Sequence, residues 1–281
     1  MRPGHLALDV NLFSRSEALT AAAKGQNIVS IQEAIDHLDL FGYCVLEEAI
    51  PADQADRLAE QLFALHEDPE SRPYFQDPND DLYQTLFGLL NLDEASWPCA
   101  AHPDVLAVTR HFLGQDIRLA EACSKWVKPG APAGGVHTDS AQDLPDVLPD
   151  NPWMINSIWM ITDFTEEIGA TRIMPTSHRL RRRPPRGMKA DDRRLLPITG
   201  RRGSVFLWHG GVWHANGANT TLDQHRMALN IAYYPPWWNL AREGGHQPVW
   251  PETFERMPPE LQRLTRNRVA REREEIYEQR G

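Results

Sequence analysis

The chain has 281 residues, 41% hydrophobic and 24% charged, the balance of a soluble globular protein able to bury a large core. A net charge of −10 argues against a general nucleic-acid binder, and no apolar run is long enough to make a membrane-spanning helix. Cys44, Cys99 and Cys123 form no Cys-x-x-Cys pair, so reduced thiols and a cytoplasmic protein are expected rather than a disulfide framework.

Residues 1–28 read as an irregular lead-in; Arg2 is followed by no long apolar stretch, so no secretory leader is expected. Ile31, Ile35 and Leu38 recur at helical spacing over Ile31–Leu40, Phe41-Gly42 ends that helix, and Tyr43–Leu46 reads as a strand. Ile50-Pro51 opens a second helix with the apolar stripe Ala55, Leu58, Ala59, Leu62 and Phe63. Residues 66–81, rich in Asp, Glu and Pro, read as an exposed loop whose acidic cluster Asp77–Asp81 is solvated. A third helix is predicted from about Pro103 to Phe112, stopped by Gly114.

From Ile117 the texture changes to short strand-like runs separated by turn residues. These are Ile117–Val127, Val136–Asp139, Ile155–Phe164, Thr171–Met174, Gly203–Trp208 and Met227–Tyr234. Short, regularly punctuated strands predict a sandwich or barrel. The basic run Arg179–Arg186 reads as a solvated loop, with a lid over an anionic substrate as the alternative. Of nine tryptophans, Trp208, Trp213, Trp237, Trp238 and Trp250 crowd the last third, as core packing or as the wall of a partly apolar substrate cavity. The charged tail, residues 252–281, has helical character and reads as a surface helix or a contact in a homo-oligomer. No repeat or linker divides the chain. A single domain over 1–281 is expected, with a helical part at about 28–114 and a barrel core at about 115–236.

The chemistry centres on Gly134-Gly135-Val136-His137-Thr138-Asp139. Two residues apart on an extended segment, His137 and Asp139 point to one face. They supply an imidazole and a carboxylate of the triad, two His and one carboxylate, that holds non-haem Fe(II) with positions left open. Further on, the strand ending at Trp208 turns through Gly210-Gly211 into Trp213-His214, and Arg226 opens the next strand. His214 can be the third ligand, with His209 as its competitor. His178 reads as a turn-fixing residue, and His102, His111 and His225 as packing or surface residues. The fork of Arg226 suits the far carboxylate of a dicarboxylate such as a 2-oxo acid, whose other end would neutralise the iron centre.

These blocks resemble the phytanoyl-CoA dioxygenase family of Fe(II)/2-oxoglutarate-dependent oxygenases. Its His-x-Asp is His137-Thr138-Asp139. Its middle block is matched from Trp159 through Asp163 and Gly169-Ala170-Thr171-Arg172 to Pro175-Thr176-Ser177-His178-Arg179. Its distal block is matched by Trp213-His214, Gly217, Asn219 and Arg226. The resemblance covers roughly residues 30–240 and keeps the family's order. Three departures stand out: Thr176 replaces a glycine, Asn216 a small hydroxyl residue and Thr138 a glutamine. The retained Asp139 argues against a halogenating variant.

The resemblance implies a mainly β fold with α decoration, a double-stranded β-helix (jelly-roll, cupin-like) with N-terminal helices packed on one sheet. It implies Fe(II) on His137, Asp139 and His214, 2-oxoglutarate held at its far end by Arg226, and O2 as second cosubstrate. It further places Thr171, Trp159, Gln84 and Asn216 around the cosubstrate. The implied reaction hydroxylates an aliphatic C–H of a small molecule, such as a secondary metabolite, an acyl or an amino-acid-like substrate, and releases succinate and CO2. The rival is a metal-binding jelly-roll isomerase, lyase or binding module without oxygenase activity.

Overall fold

The computed structural model describes residues 30–139, 144–238 and 248–269. The lead-in and the end of the charged tail lie outside these residues. In chain order the strands are β1 (Tyr43–Leu46), β2 (Tyr83–Leu86), β3 (Arg118–Val127), β4 (Ile155–Met160), β5 (Thr171–Ile173), β6 (Leu196–Pro197), β7 (Val205–His209), β8 (His214–Asn216) and β9 (Arg226–Tyr234). The main helices are α1 (Ile31–Phe41), α2 (Ala52–Glu67), α3 (Pro103–Leu113), α4 (Pro251–Arg256) and α5 (Pro259–Thr265).

A six-stranded sheet runs in the order β1-β7-β4-β9-β3-β2, and a three-stranded sheet in the order β6-β5-β8. The strand pairs are antiparallel, and neighbours distant in sequence mark the crossovers of a jelly roll. Among the described residues the two sheets stay separate rather than pairing into one closed barrel.

The larger sheet is buried on both faces, and the period of two sorts its side chains. On β9, Met227, Leu229, Ile231 and Tyr233 join Val205 and Leu207 of β7 in a core shared with the helices. From α2 that core takes Ala55, Leu58 and Leu62, with Ala59 and Phe63 packed at its margin, the stripe expected from periodicity. The opposite face carries Ile158, Met160, Phe206, Trp208 and Ala228, which meet Ile173 and Leu196 of the smaller sheet.

Local chemistry sets the helix ends. The Ser30 hydroxyl accepts from the Glu33 N–H at 3.2 Å, and Gly42 closes α1 at φ 86°. A Cβ on Gly42 would lie 2.5 Å from both His178 Nδ1 and Val212 Cγ2, so conformation and space both demand glycine there.

Three differences from the sequence reading have physical causes. Residues 66–81 contain a 3-10 helix, Pro69–Tyr74, and Tyr74 and Phe75 are buried against Leu86. Their apolar side chains outweigh the polar composition of the segment. Strands β2, β6 and β8 are too short to show a period of their own. Val136–Asp139 is no regular strand: a bridge pairs His137 with His214, and the Asp139 N–H then donates to Gly210 at 3.0 Å instead.

His66 ties α2 to the larger sheet, with its Nε2 2.8 Å from Ser124 Oγ. Burial lowers its pKa to about 4, against a weaker opposing effect of Gln84. Below an ordinary value of ~6.5 the unfolded chain takes up this proton first, so stability is present above that pH and lost as pH falls toward 4. Urea unfolding at pH 5 and pH 7 is expected to show His66→Gln retaining about 2 kcal/mol more of its neutral-pH stability than wild type does.

Candidate metal centre

His137, Asp139 and His214 converge between the sheets, with candidate ligand atoms all within 4.8 Å of one another. Asp139 Oδ1 lies 3.4 Å from His214 Nε2 and 3.8 Å from His137 Nε2. The two imidazole centroids are 4.3 Å apart. The backbones of His137 and His214 exchange N–H to carbonyl bonds at 3.0 Å, which fixes the two rings side by side.

Each ligand is oriented from behind. His137 Nδ1 lies 2.9 Å from the Gly135 carbonyl, and His214 Nδ1 lies 3.0 Å from that of Val212. A carbonyl can only accept, so Nδ1 carries the proton and Nε2 presents its lone pair to the centre. Asp139 Oδ2 accepts from Asn156 Nδ2 at 2.7 Å and from Trp208 Nε1 at 2.8 Å. That leaves Oδ1 turned to the histidines. Trp153 Nε1 donates to the Asp139 carbonyl at 3.1 Å and pins the backbone.

The electrostatics suit a cation. Burial alone would raise the Asp139 carboxyl, but His214, His137 and Trp208 hold it well below the usual carboxylate range. Desolvation by the surrounding chain, and then the neighbouring His214, lower the pKa of His137, although 53% of its side chain faces solvent. For His214, burial is outweighed by Asp139, and its pKa is raised, so a metal bound here would take the place of the Nε2 proton that faces Asp139. Ionised carboxylate and imidazole lone pairs facing one point are the donor set of a divalent first-row metal.

Arg226 lies fully buried at one end of this site. It donates to the Gly169 carbonyl and, at 3.1 Å, to Asn216 Oδ1. Its Cζ lies 5.2 Å from the Phe164 ring. Among the described residues it has no carboxylate partner, its guanidinium also meets the Tyr83 hydroxyl, and its Nε is unpaired, as is the buried Thr171 Oγ1. Thr171 pairs in register with Asn216, two residues along β8 from His214, a span of roughly 7 Å.

Of the residues singled out by sequence, the structure brings together His137, Asp139, His214, Arg226, Thr171 and Asn216. Two others point away. Trp159 faces the helices, packed edge-on to His102 with centroids 5.3 Å apart, because Ile158 and Met160 take the inward phase of β4. Gln84 faces α2, with Oε1 3.4 Å from His66 Nδ1. The inward residue there is Tyr83, whose hydroxyl accepts from Asn216 Nδ2 at 2.8 Å. His209 is likewise not in the triad: its Nδ1 accepts the Gly211 N–H at 2.8 Å.

Sequence reasoning missed Asn156, Trp208 and Tyr83 as site residues, and also Lys125. Asn156 had a legible signal, being a polar residue in phase with the inward Ile158 and Met160 of a wholly buried strand. Lys125 pairs with Ala228 and Thr85 on the inward face. Burial opposes its charge, but Tyr83, Cys123, Glu121 and Asp139 raise its pKa, and it remains a cation.

A jelly roll with two imidazoles and a carboxylate meeting between its sheets defines a metal-site protein of the cupin-like class. The sequence profile of the phytanoyl-CoA dioxygenase family matches residues 38–228, most of the chain, which therefore belongs to that family. It is 28% identical over 211 residues to dioxygenase af480 of Aspergillus fumigatus, a match covering 73% of this chain and 67% of that one. Family and relative together make it a dioxygenase-type enzyme.

Solved structures share the fold. EctD from S. alaskensis in its apoform is 20% identical with a TM-score of 0.62, over 75% of this chain and 80% of that one. HygX from Streptomyces hygroscopicus, with nickel and 2-oxoglutarate bound, is 14% identical with a TM-score of 0.61, over 78% and 90%. The epimerase SnoN, in complex with Fe3+ and alpha-ketoglutarate, is 16% identical with a TM-score of 0.57, over 73% and 83%.

Asn156→Leu removes one of the two side-chain donors to Asp139 and fills the inward position with an apolar side chain of similar size. Its affinity for Fe(II), titrated anaerobically by calorimetry, is expected to fall about 10- to 100-fold. An unchanged affinity would mean that Trp208 alone orients the carboxylate.

Proposed function

We propose that this chain is a non-haem Fe(II)- and 2-oxoglutarate-dependent dioxygenase that hydroxylates an aliphatic C–H of a small molecule, releasing succinate and CO2. The observation that carries the reading is Arg226. A guanidinium buried without an anion is costly. This one has an unpaired Nε, and the Thr171 hydroxyl, also unpaired, lies across the strand pair from Asn216, which holds the guanidinium, about one cosubstrate length from the histidine pair. A dicarboxylate with one end on the metal and the other on Arg226 satisfies both.

The donor set fits the group. His137, Asp139 and His214 would hold Fe(II), leaving other positions open. Arg226 and Thr171 would hold the far carboxylate. Asn216 buttresses the clamp, since its oxygen holds the guanidinium and its amide donates to Tyr83. Lys125 adds a second cation to that side of the cavity. Gln84 and Trp159 take no part. The loaded charges balance: a divalent metal and Arg226 against Asp139 and a dianionic cosubstrate leave about zero before Lys125 is counted. When bound, Fe(II) with 2-oxoglutarate and O2 supplies the oxidising chemistry. The chain's own residues orient the ligand atoms, neutralise the cosubstrate and wall the substrate. C–H cleavage needs no further acid or base from the protein.

Beyond the triad from Arg226, Leu148, Trp153, Met154, Tyr234 and Trp238 form an apolar cluster with Ala120 and Ala232. This supports a substrate with an apolar face.

Arg226→Met keeps much of the volume and removes the fork. Anaerobic titration of the Fe(II) protein with 2-oxoglutarate is expected to show a visible charge-transfer band in wild type. In the variant the midpoint should rise at least about 100-fold, in line with the 2–5 kcal/mol typical of a buried charge pair. Fe(II) affinity should stay within about twofold. Wild type without a band, or a variant with an unmoved midpoint, would sink the reading.

A further inference from the structure

We propose that residues 181–183 are a strap fixing the loop 144–153 to the strand that carries His214. In this reading Arg181 and Arg183 are positioning residues for the substrate side of the metal centre. The assignment of sides rests on the oxygenase reading above.

Two arginines of the basic run, Arg181 and Arg183, turn side-chain donors onto the protein itself. The Leu148 N–H donates to the Arg181 carbonyl at 2.8 Å, and Arg181 Nε donates back to the Leu148 carbonyl at 2.9 Å. This two-way clasp brings a side-chain and a main-chain group of one residue to the same partner. Arg181 adopts φ 49° here, a left-handed conformation that a non-glycine residue holds only when its surroundings impose it. Two residues on, Arg183 NH2 donates to the Leu144 carbonyl at 2.8 Å, and its NH1 lies 3.3 Å from Asp146 Oδ1.

Between them, Arg182 anchors the strap to the metal-ligand strand. Its carbonyl accepts Trp213 Nε1 at 2.8 Å, and its guanidinium lies 5.6 Å from the Trp213 ring centroid. Trp213 is also held through its N–H, which donates to Ser177 Oγ at 2.9 Å, and it directly precedes His214. The far end of the loop returns to the other ligand segment, because Trp153 Nε1 donates to the Asp139 carbonyl. The Gly210 N–H donates to the Met154 carbonyl at 3.0 Å. The strap and loop thus link the segment of His214 to that of Asp139.

Strand register shows which side the loop covers. Leu148, Trp153 and Met154 pack on Ala120, Ala232 and Tyr234. Ala232 shares its face of β9 with Arg226, six residues or roughly 20 Å away. Asn156, which holds Asp139, pairs with Ala232. The metal ligands therefore lie between the Arg226 clamp and the loop. With cosubstrate on the Arg226 side, the loop walls the side left for substrate and limits water there. Arg181 stays exposed, as a solvated run implies, while its Nε and the Arg183 guanidinium also hold the loop.

The test uses the full chain with Arg181→Gly, which relieves the backbone and deletes the side-chain half of the clasp while leaving the Leu148 N–H to carbonyl bond in place, and Arg183→Ala, singly and together. Arg181→Lys keeps a donor, and Arg186→Ala is the exposed control. In the double variant, hydrogen exchange of the Leu148 amide should accelerate about five- to tenfold. The anaerobic 2-oxoglutarate titration midpoint should stay within about twofold, because the clamp at Arg226 is untouched. In air with ascorbate as reductant and no added substrate, succinate formation should rise at least about threefold as the loosened loop gives O2 freer access to the metal side. Arg181→Lys should restore part of both changes, and Arg186→Ala should cause neither.

A misfolded variant would lose the titration band instead, and the single variants then serve. Unchanged exchange at Leu148, or faster exchange with unchanged succinate formation, overturns the proposal. A wild-type chain that binds no 2-oxoglutarate and forms no succinate removes the oxygenase reading, and the strap then stands or falls on exchange alone.

Discussion

Asp139 must stay ionised inside a protein, and that requirement organises its surroundings. A buried carboxylate is stable only where donors and opposite charge replace the water it has lost. Here Asn156 and Trp208 satisfy one oxygen, and two imidazoles face the other. The donors come from β4 and β7, neighbours in the larger sheet, whereas one imidazole stands on β8 of the smaller sheet. The carboxylate therefore needs both sheets in place, packed at the right spacing. The apolar contacts among Ile158, Phe206, Trp208 and Ile173 that set this spacing also set the geometry of the site.

A second constraint lies along the strands. Arg226 begins β9 on the inward face, and the residues that follow in phase are Ala228, Asn230 and Ala232. Two of these three side chains are small. Charge and shape agree: cations gather on the Arg226 side, the carboxylate sits midway, and an apolar cluster closes the other end. On the proposed reading, a dianion placed between these ends has one orientation that neutralises both a metal held by His137, Asp139 and His214 and the arginine.

Much of this was legible in the residues. The helices at Ile31, Ala52 and Pro103 announced themselves by period and capping residues, and long strands such as β3 and β9 by β-rich runs. The His-Asp-His cluster was legible because spacing, a distal histidine and a following arginine appear together. What stayed hidden depends on phase. Gln84 and Tyr83 are adjacent in sequence, and only the pairing of β2 with β3 decides that Tyr83 faces the cavity. Trp159 fails for the same reason, one residue out of phase with Ile158. The donors to Asp139 were hidden because a tryptophan in a hydrophobic run reads as core, although its N–H is a polar handle. Thr176 shows the reverse case: where relatives place a glycine, it holds φ 65°, so the turn survives the substitution at the cost of backbone strain.

The most direct test of the site is a crystal structure of the chain grown anaerobically with Fe(II) and 2-oxoglutarate. The account predicts one iron bound by His137 Nε2, Asp139 Oδ1 and His214 Nε2, with the far carboxylate of 2-oxoglutarate on Arg226 and within reach of Thr171. Iron held by another set, including His209, or a cosubstrate whose far carboxylate lies away from Arg226, would contradict it.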